Sequence, residues 1–393
     1  MERAQPLDGV RVVDFSQGVS GPFASKLMAI MGADVVKVEP PGGDEARSLP
    51  PFLGDDPHPE KSGLFLYLNT NKRGVTLDLD QPSGRAIARK LIQWADIVIQ
   101  DNAPADAPAR GLAYEQVEQA NPRAVLVSTT AFGQDGPYRD YQSSDLVELA
   151  LGGLLYITGE PDREPLRMGG QPSSYFAALS AFSGALIALY SRDATGEGQH
   201  VDVSALEGIA TAQMYSGLNY EYLHVDRERA NSLAPLFPAK DGYVGVMYRQ
   251  PDWTEFCTMM GRPDMITDER FRDVTARRVH QEELNNIVGR WIKEQPKEEL
   301  YHRAQRKRMP FGYICDARDL IQSAQYIERN FFQQIEHPVA GTLTYPGMPM
   351  RWGDDQWELR PAPTLGQHNT EVYADLLGYT PEEIVLLRAE QVI

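Results

Sequence analysis

The chain of 393 residues is long enough for more than one domain, and its 42% apolar and 24% charged residues are ordinary for a globular protein. A formal net charge of −17 excludes the basic footprint that nucleic acid or an anionic membrane demands, leaving a small molecule or another protein as partner. Two cysteines, Cys257 and Cys315, without CxxC spacing, and seven histidines without an HExxH pairing, point away from a disulfide framework, a zinc site or any other metal; both thiols are expected to be buried and reduced.

The opening MERAQPLDGVRVVDF carries no apolar leader, and the apolar runs are read as shorter than the roughly 18 residues of a membrane span, so a cytoplasmic protein is expected. In chain order, residues 10–15 (VRVVDF) predict a strand, residues 21–31 a helix with Pro22 in its first turn, and residues 34–39 (DVVKVE) a second strand. A second unit follows, with GVTLDL (74–79) as strand, 83–94 as amphipathic helix and IVIQ (97–100) as strand; AVLVS (124–128) adds another. Strands alternating with helices predict a mostly parallel, doubly wound α/β sheet with ligands at the carboxyl ends of its strands.

Residues 167–204 predict a loop, a long apolar helix crowded with small side chains, and a glycine turn into a strand. Small residues such as Ala177, Ala178, Ala181 and Ala185 let a neighbouring backbone pack close, and Ser173 or Ser174 is expected to cap the helix start. Residues 207–235 read as polar and irregular, KDGYVGVMY (240–248) as turn and strand, 251–309 as charged helical segments, and GTLTYPGMPMRW (341–352) as strand and turn. A last helix is expected near residue 381, with Thr380 as its cap and Pro381 in its first turn. The expected organisation is a large Rossmann-like domain over 1–224, a smaller α+β domain over 225–325 and a return to the large domain over 326–393.

Glu39 follows Gly18 and Gly21 at about the 20-residue spacing of a dinucleotide site, yet the loop offers G-V-S-G and not G-x-G-x-x-G, which argues against a nicotinamide or flavin cofactor. TGEGQ (195–199) lacks the Lys-Ser/Thr ending of a phosphate loop and reads as a helix stop and tight turn. NTNKR (69–73) sets two cations beside two amides before a strand, either a solvated turn or a contact for phosphate.

Six stretches in order along nearly the whole chain, PLDGVRVVDFSQGVSGPFASKLMAIMGADVVKVEPPGGD (6–44), NTNKRGVTLDLD (69–80), TAFGQDGPY (130–138), SDLVELALGGLLYITGEPD (144–162), RDATGEGQHVDVS (192–204) and RPAPTLGQHNTEVYADLLGYTPEEI (360–384), resemble the class III coenzyme A-transferases, the CaiB/BaiF family. The resemblance implies interlocked dimers with the active site where two chains meet. It also implies a ping-pong cycle in which an aspartate attacks an acyl-CoA, succinyl-CoA being one family donor, to give a mixed anhydride and then an aspartyl-CoA thioester. CoA then passes to a carboxylic acid, and no tightly bound cofactor is implied beyond CoA or acyl-CoA as substrate. Gln17, Lys72, Arg73 and Arg110 are the CoA contacts the resemblance implies.

Counted 25 residues back from Gln199 of the T-G-x-G-Q turn, the family's aspartate position falls on Ser174. A serine ester is far less activated than an anhydride or a thioester, so Ser174 is not expected to take over the cycle. Asp145 resembles a second aspartate common in the family and is read as structural. The family's E-N-F-R-P-G loop is here QDNAPA (100–105), Val19 stands where the formyl-CoA branch has glutamine, and Ser144 and Ser174 replace both racemase bases. The expected function is thus the non-catalytic subunit of a heteromeric CoA-transferase, active only with a homologous, aspartate-bearing partner. The alternatives are a homodimer with a displaced nucleophile and an acyl-CoA-binding protein without turnover.

Overall fold

A computed structural model of the chain describes residues 5–225, 235–247, 249–351 and 357–393. Short runs rich in β-branched residues form its centre, because such side chains pack well on a pleated surface covered on both faces. These are β1 (Arg11–Asp14), β2 (Asp34–Glu39), β3 (Arg73–Thr76), β4 (Ile97–Gln100), β5 (Val125–Thr130) and β6 (His200–Ser204). All pair in parallel, in the order β3-β2-β1-β4-β5-β6. This is a doubly wound sheet, and the order reverses between β1 and β4, where ligands bind in such folds. The expected strands at 34–39 and 97–100 stand at those residues, whereas the one expected over 74–79 ends at Thr76.

The connections carry α1 (Ser20–Ile30), α2 (Gly63–Leu68), α3 (Pro82–Trp94), α4 (Ala107–Arg110), α5 (Tyr114–Ala120), α6 (Asp145–Leu151), α7 (Pro172–Thr195), α8 (Ala205–Ala212) and α9 (Met214–Leu223). Neighbouring strand residues serve opposite faces. Val12, Ile97 and Val125 join a core with α1 and α7, while Val13, Val98 and Leu126 join a second core with α3 and the C-terminal helix Pro381–Ala389. Thr380 caps that last helix in a reciprocal box with Glu383, with Pro381 in its first turn.

The small side chains of α7 do what their size allows. Ala177, Ala178, Ala181 and Ala185 are buried against Ala24, Leu27 and Met28 of α1, and a Cβ on Gly184 would come within 2.7 Å of Val201. The helix stops at Gly196, whose φ of +82° suits glycine, as expected for TGEGQ. One expectation fails here: α7 is long and apolar enough to span a membrane by length and composition. Its inner face belongs to the core, however, and only its outer face is bare.

Residues 205–223 are helical as α8 and α9, not irregular. The described side chains of α9 show no buried stripe, so its sequence offered no helical period to read; residues 226–234 of the expected irregular segment lie outside the described residues.

Two compact units divide the chain. One runs to Gly159, resumes at Pro165 as far as residue 227 and returns over Asn330–Ile393; the other holds Glu160–Glu164 and the chain from residue 228 to Arg329. The second unit has antiparallel strands β7 (Leu236–Ala239), β8 (Gly242–Gly245) and β9 (Gly312–Tyr313), and a core of Phe237, Val244, Trp253, Phe256, Leu284 and Val288. The expected strand in 240–248 is β8, Tyr248 lying outside the described residues, as does Trp352 of the later strand-and-turn run. That run opens with β11 (Gly341–Pro346), paired with β10 (Phe332–His337). Cys257 is buried, but Cys315 is exposed, against expectation, because it follows the short edge strand β9.

Candidate active site

β1 ends on Asp14, and the chain turns through Ser16, Gln17 and Gly18 into α1. Three successive backbone N–H groups of this turn donate to three carboxylates: Ser16 to Asp14 (3.0 Å), Gln17 to Asp101 (2.8 Å) and Gly18 to Asp44 (3.0 Å). Gly18 has a φ of +68°, and a Cβ on Gly21 would lie 1.9 Å from Ser16 Oγ, so glycine is required at both. The turn is thereby fixed from strands β1, β2 and β4 at once.

Beneath it lies a buried ionic network. Lys37 Nζ is 2.7 Å from Asp44 and also donates to the Ser16 carbonyl. Burial works to lower the Lys37 pKa, but Asp44, Asp14 and Glu39 outweigh it and raise it. Burial likewise opposes ionisation of Asp14, yet Lys37, Lys72 and two serine hydroxyls hold its carboxyl below the usual range. Glu39 accepts two hydrogen bonds from Arg47, at 2.6 and 2.9 Å.

Lys72 belongs to this network. Its ammonium donates to Asp14 (3.2 Å), the Pro22 carbonyl (2.8 Å) and Asn69 (2.9 Å), and burial brings its pKa down to about 8. Arg73 stands at the amino end of β3, paired with Asp34 (2.7 Å) and Glu371 (3.0 Å). The structure brings neither cation to the recesses at the carboxyl ends of the strands. NTNKR looked available because its partners lie far away in sequence.

Gln17 and Arg110 do meet. They line a crevice with Asn102, Asp78 and Asp80, the latter two just beyond β3. Arg110 donates to Asn102 Oδ1 (2.7 Å) and Asp80 (3.1 Å); Asn102 Nδ2 donates to Gln100 Oε1 (3.1 Å), Gln100 to Ser128 (2.8 Å), and Ser128 Oγ lies 2.9 Å from His200 Nε2. This chain of side chains crosses β4, β5 and β6 and holds the guanidinium in place.

Gln17 also lines a larger cleft of about 320 Å³ that contains Ser174, Asp101, Glu148, Thr129 and Arg139. Ser174 sits in the first turn of α7, and no described residue is hydrogen-bonded to its hydroxyl. Neither serine caps the helix, because Gln171 occupies the cap position and Pro172 begins the first turn. The carboxylate of Asp145 does the work from α6, accepting from Ser173 N (3.1 Å) and Ser173 Oγ (2.8 Å). Ser173→Ala is therefore expected to cost about 1 kcal/mol, and Ser174→Ala less than about 0.5 kcal/mol, in urea denaturation.

Asp101 and Glu148 escaped the sequence reading. Burial pushes the Asp101 carboxyl up to about 7, against the Gln17 N–H and Lys37, which favour its charged form. The available signal was position: Asp101 directly follows β4, at the carboxyl end of a strand, where ligands are expected. Glu148 carried none, since the α6 turn meets the cleft only in the folded chain.

A parallel sheet with two recesses at its switch point, joined by one rigid turn, defines a ligand-binding α/β protein of the doubly wound class. The chain belongs to the CoA-transferase family III, which it matches over residues 7–369. It is 33% identical to the succinyl-CoA–D-citramalate CoA-transferase of Chloroflexus aurantiacus, over 99% of this chain and 98% of that one. It is 34% identical to the succinyl-CoA:(R)-benzylsuccinate CoA-transferase subunit BbsE of Thauera aromatica, over 97% and 96% of the two chains. Among solved structures, a CaiB/BaiF family protein from Brucella suis matches with a TM-score of 0.87 at 28% identity, covering 95% of this chain and 100% of the other. Family membership makes the chain a CoA-transferase with acyl-CoA as substrate.

Proposed function

We propose that the chain is one subunit of a heteromeric CoA-transferase that moves CoA between an acyl-CoA and a carboxylic acid, and that a homologous partner supplies the nucleophilic aspartate. The observation that carries this reading is Ser174. Counted from the T-G-x-G-Q turn it takes the position that the resemblance gives to aspartate, and among the described residues nothing is hydrogen-bonded to its hydroxyl in the cleft, so no base is placed to activate it. The cycle needs a carboxylate, because both the anhydride and the thioester it forms are activated enough to react onward.

A partner chain is supported by the surface. Leu179, Ile187 and Tyr190 of α7 and Tyr215, Tyr222 and Leu223 of α9 are exposed, an unusual amount of bare apolar area for two helices. Burying it in an interlocked assembly would stabilise both chains and bring a second active-site wall to the cleft. The relative named as a subunit is in keeping with this arrangement. The test compares the chain alone with the chain co-expressed with an aspartate-bearing homologue, transfer confined to the mixture supporting the reading.

CoA is assigned to the crevice of Gln17 and Arg110, with the guanidinium toward a phosphate of the nucleotide end. Arg110→Ala is expected to weaken CoA binding by roughly 1–3 kcal/mol in calorimetry. Arg73→Ala, at the far edge of the sheet, is expected to leave it unchanged; the reverse pattern would move the site.

A further inference from the structure

The cleft that holds Ser174 is unusually acidic for a protein that handles carboxylic acids. Glu45, Asp101 and Glu148 line it, and the only cation on its described lining is Arg139, whose guanidinium is held by Asp140 at 3.1 Å. Glu148 decides the matter. It lies in the first turns of α6, the residue is only 8% exposed, and its carboxylate faces the cleft. Oε1 accepts from Ser143 Oγ at 3.1 Å, while Oε2 has neither a hydrogen-bond donor nor a cation among the described residues.

A carboxylate that faces a cleft with no cation beside it is complemented by a donor or a positive charge, and a second anion next to it is disfavoured. We infer that Glu148 makes this cleft select carboxylic acids whose far end is neutral or cationic, and reject dicarboxylates. The inference rests on the acyl-transfer reading of the cleft and adds to it the substrate class. It separates this chain from the relatives named for succinyl-CoA, whose acyl group ends in a second carboxylate.

Three acids of equal length test it: glutarate, pentanoate and 5-aminopentanoate, offered as CoA acceptors to the assembled enzyme. The expected kcat/KM order is 5-aminopentanoate, then pentanoate, then glutarate, with at least a tenfold span from first to last. Glu148→Gln keeps an acceptor for Ser143 and is expected to flatten that span, with Glu148→Ala as a second variant and thermal melting as the check on folding. A preference for glutarate, or a span unmoved by either variant, overturns the inference. If none of the three accepts CoA, the acyl-transfer reading fails, and calorimetric titration of the full chain with the same acids decides this inference separately. At least tenfold tighter binding of 5-aminopentanoate than of glutarate, lost in Glu148→Gln, supports it; equal binding overturns it.

Discussion

Purified alone, this chain is expected to transfer no CoA; co-expressed with a homologue bearing aspartate at the position of Ser174, it is expected to yield a complex faster by several orders of magnitude, the scale at which a missing nucleophile is felt. Serine fails on two counts. Among the described residues no base is hydrogen-bonded to its hydroxyl, and its ester would be a thermodynamic resting place and not an intermediate. The bare faces of α7 and α9 also predict that the lone chain forms poorly behaved oligomers, as chains with large obligate interfaces do. Incubation of the complex with acyl-CoA, then hydroxylamine or borohydride, followed by peptide mass analysis, locates the intermediate. The modification is expected on the partner's peptide, with the peptide around Ser174 unmodified. Full activity from this chain alone, with Glu148 or another of its own residues modified, would establish a self-sufficient homodimer. A mixture that binds CoA without turnover would establish a binding protein.

Lys37→Met is expected to cost about 3–5 kcal/mol, the largest loss of stability from any single change considered, read as a shifted urea midpoint. Lys37 is fully buried, as is Asp44, and the two are 2.7 Å apart. Among the described residues, removing the ammonium leaves Asp44 with only backbone donors, from Gly18 and Ala46, and strips Asp14 of one of its two cations. Methionine fills the same space, so the loss reports the stranded charge and not a cavity. A cost below about 1 kcal/mol would mean that the network relaxes around the gap.

The sheet was legible because a strand covered on both faces writes itself as a nearly continuous apolar run, as IVIQ does. The cap of the last helix was legible because Thr380 and Glu383 are neighbours in sequence. What failed depended on distance along the chain. Lys72 reads as a surface cation until Asp14, 58 residues earlier, is folded onto it. Ser173 reads as a cap until Asp145 approaches from another helix. In α2, GLFLYL is too short and too uniformly apolar to show whether its period is two or 3.6, and the hydroxyl of Ser62, accepting from Phe65 N, decides for the helix. Asp101 and Glu148 come to line the cleft only through the folded geometry.

The turn through Gln17 is a wall of both recesses, and its three N–H groups are clamped before any ligand arrives. Its conformational entropy is therefore lost when the chain folds and not when substrate binds. Association with CoA needs no loop to condense, and its heat-capacity change should follow the apolar area covered by the ligand with no added folding component. The same rigidity couples the two recesses. With CoA in one recess and the acyl group in the other, as proposed, a substitution at Gln17 is expected to alter nucleotide affinity and acyl discrimination together, so that selection acting on one of these traits would drag the other with it.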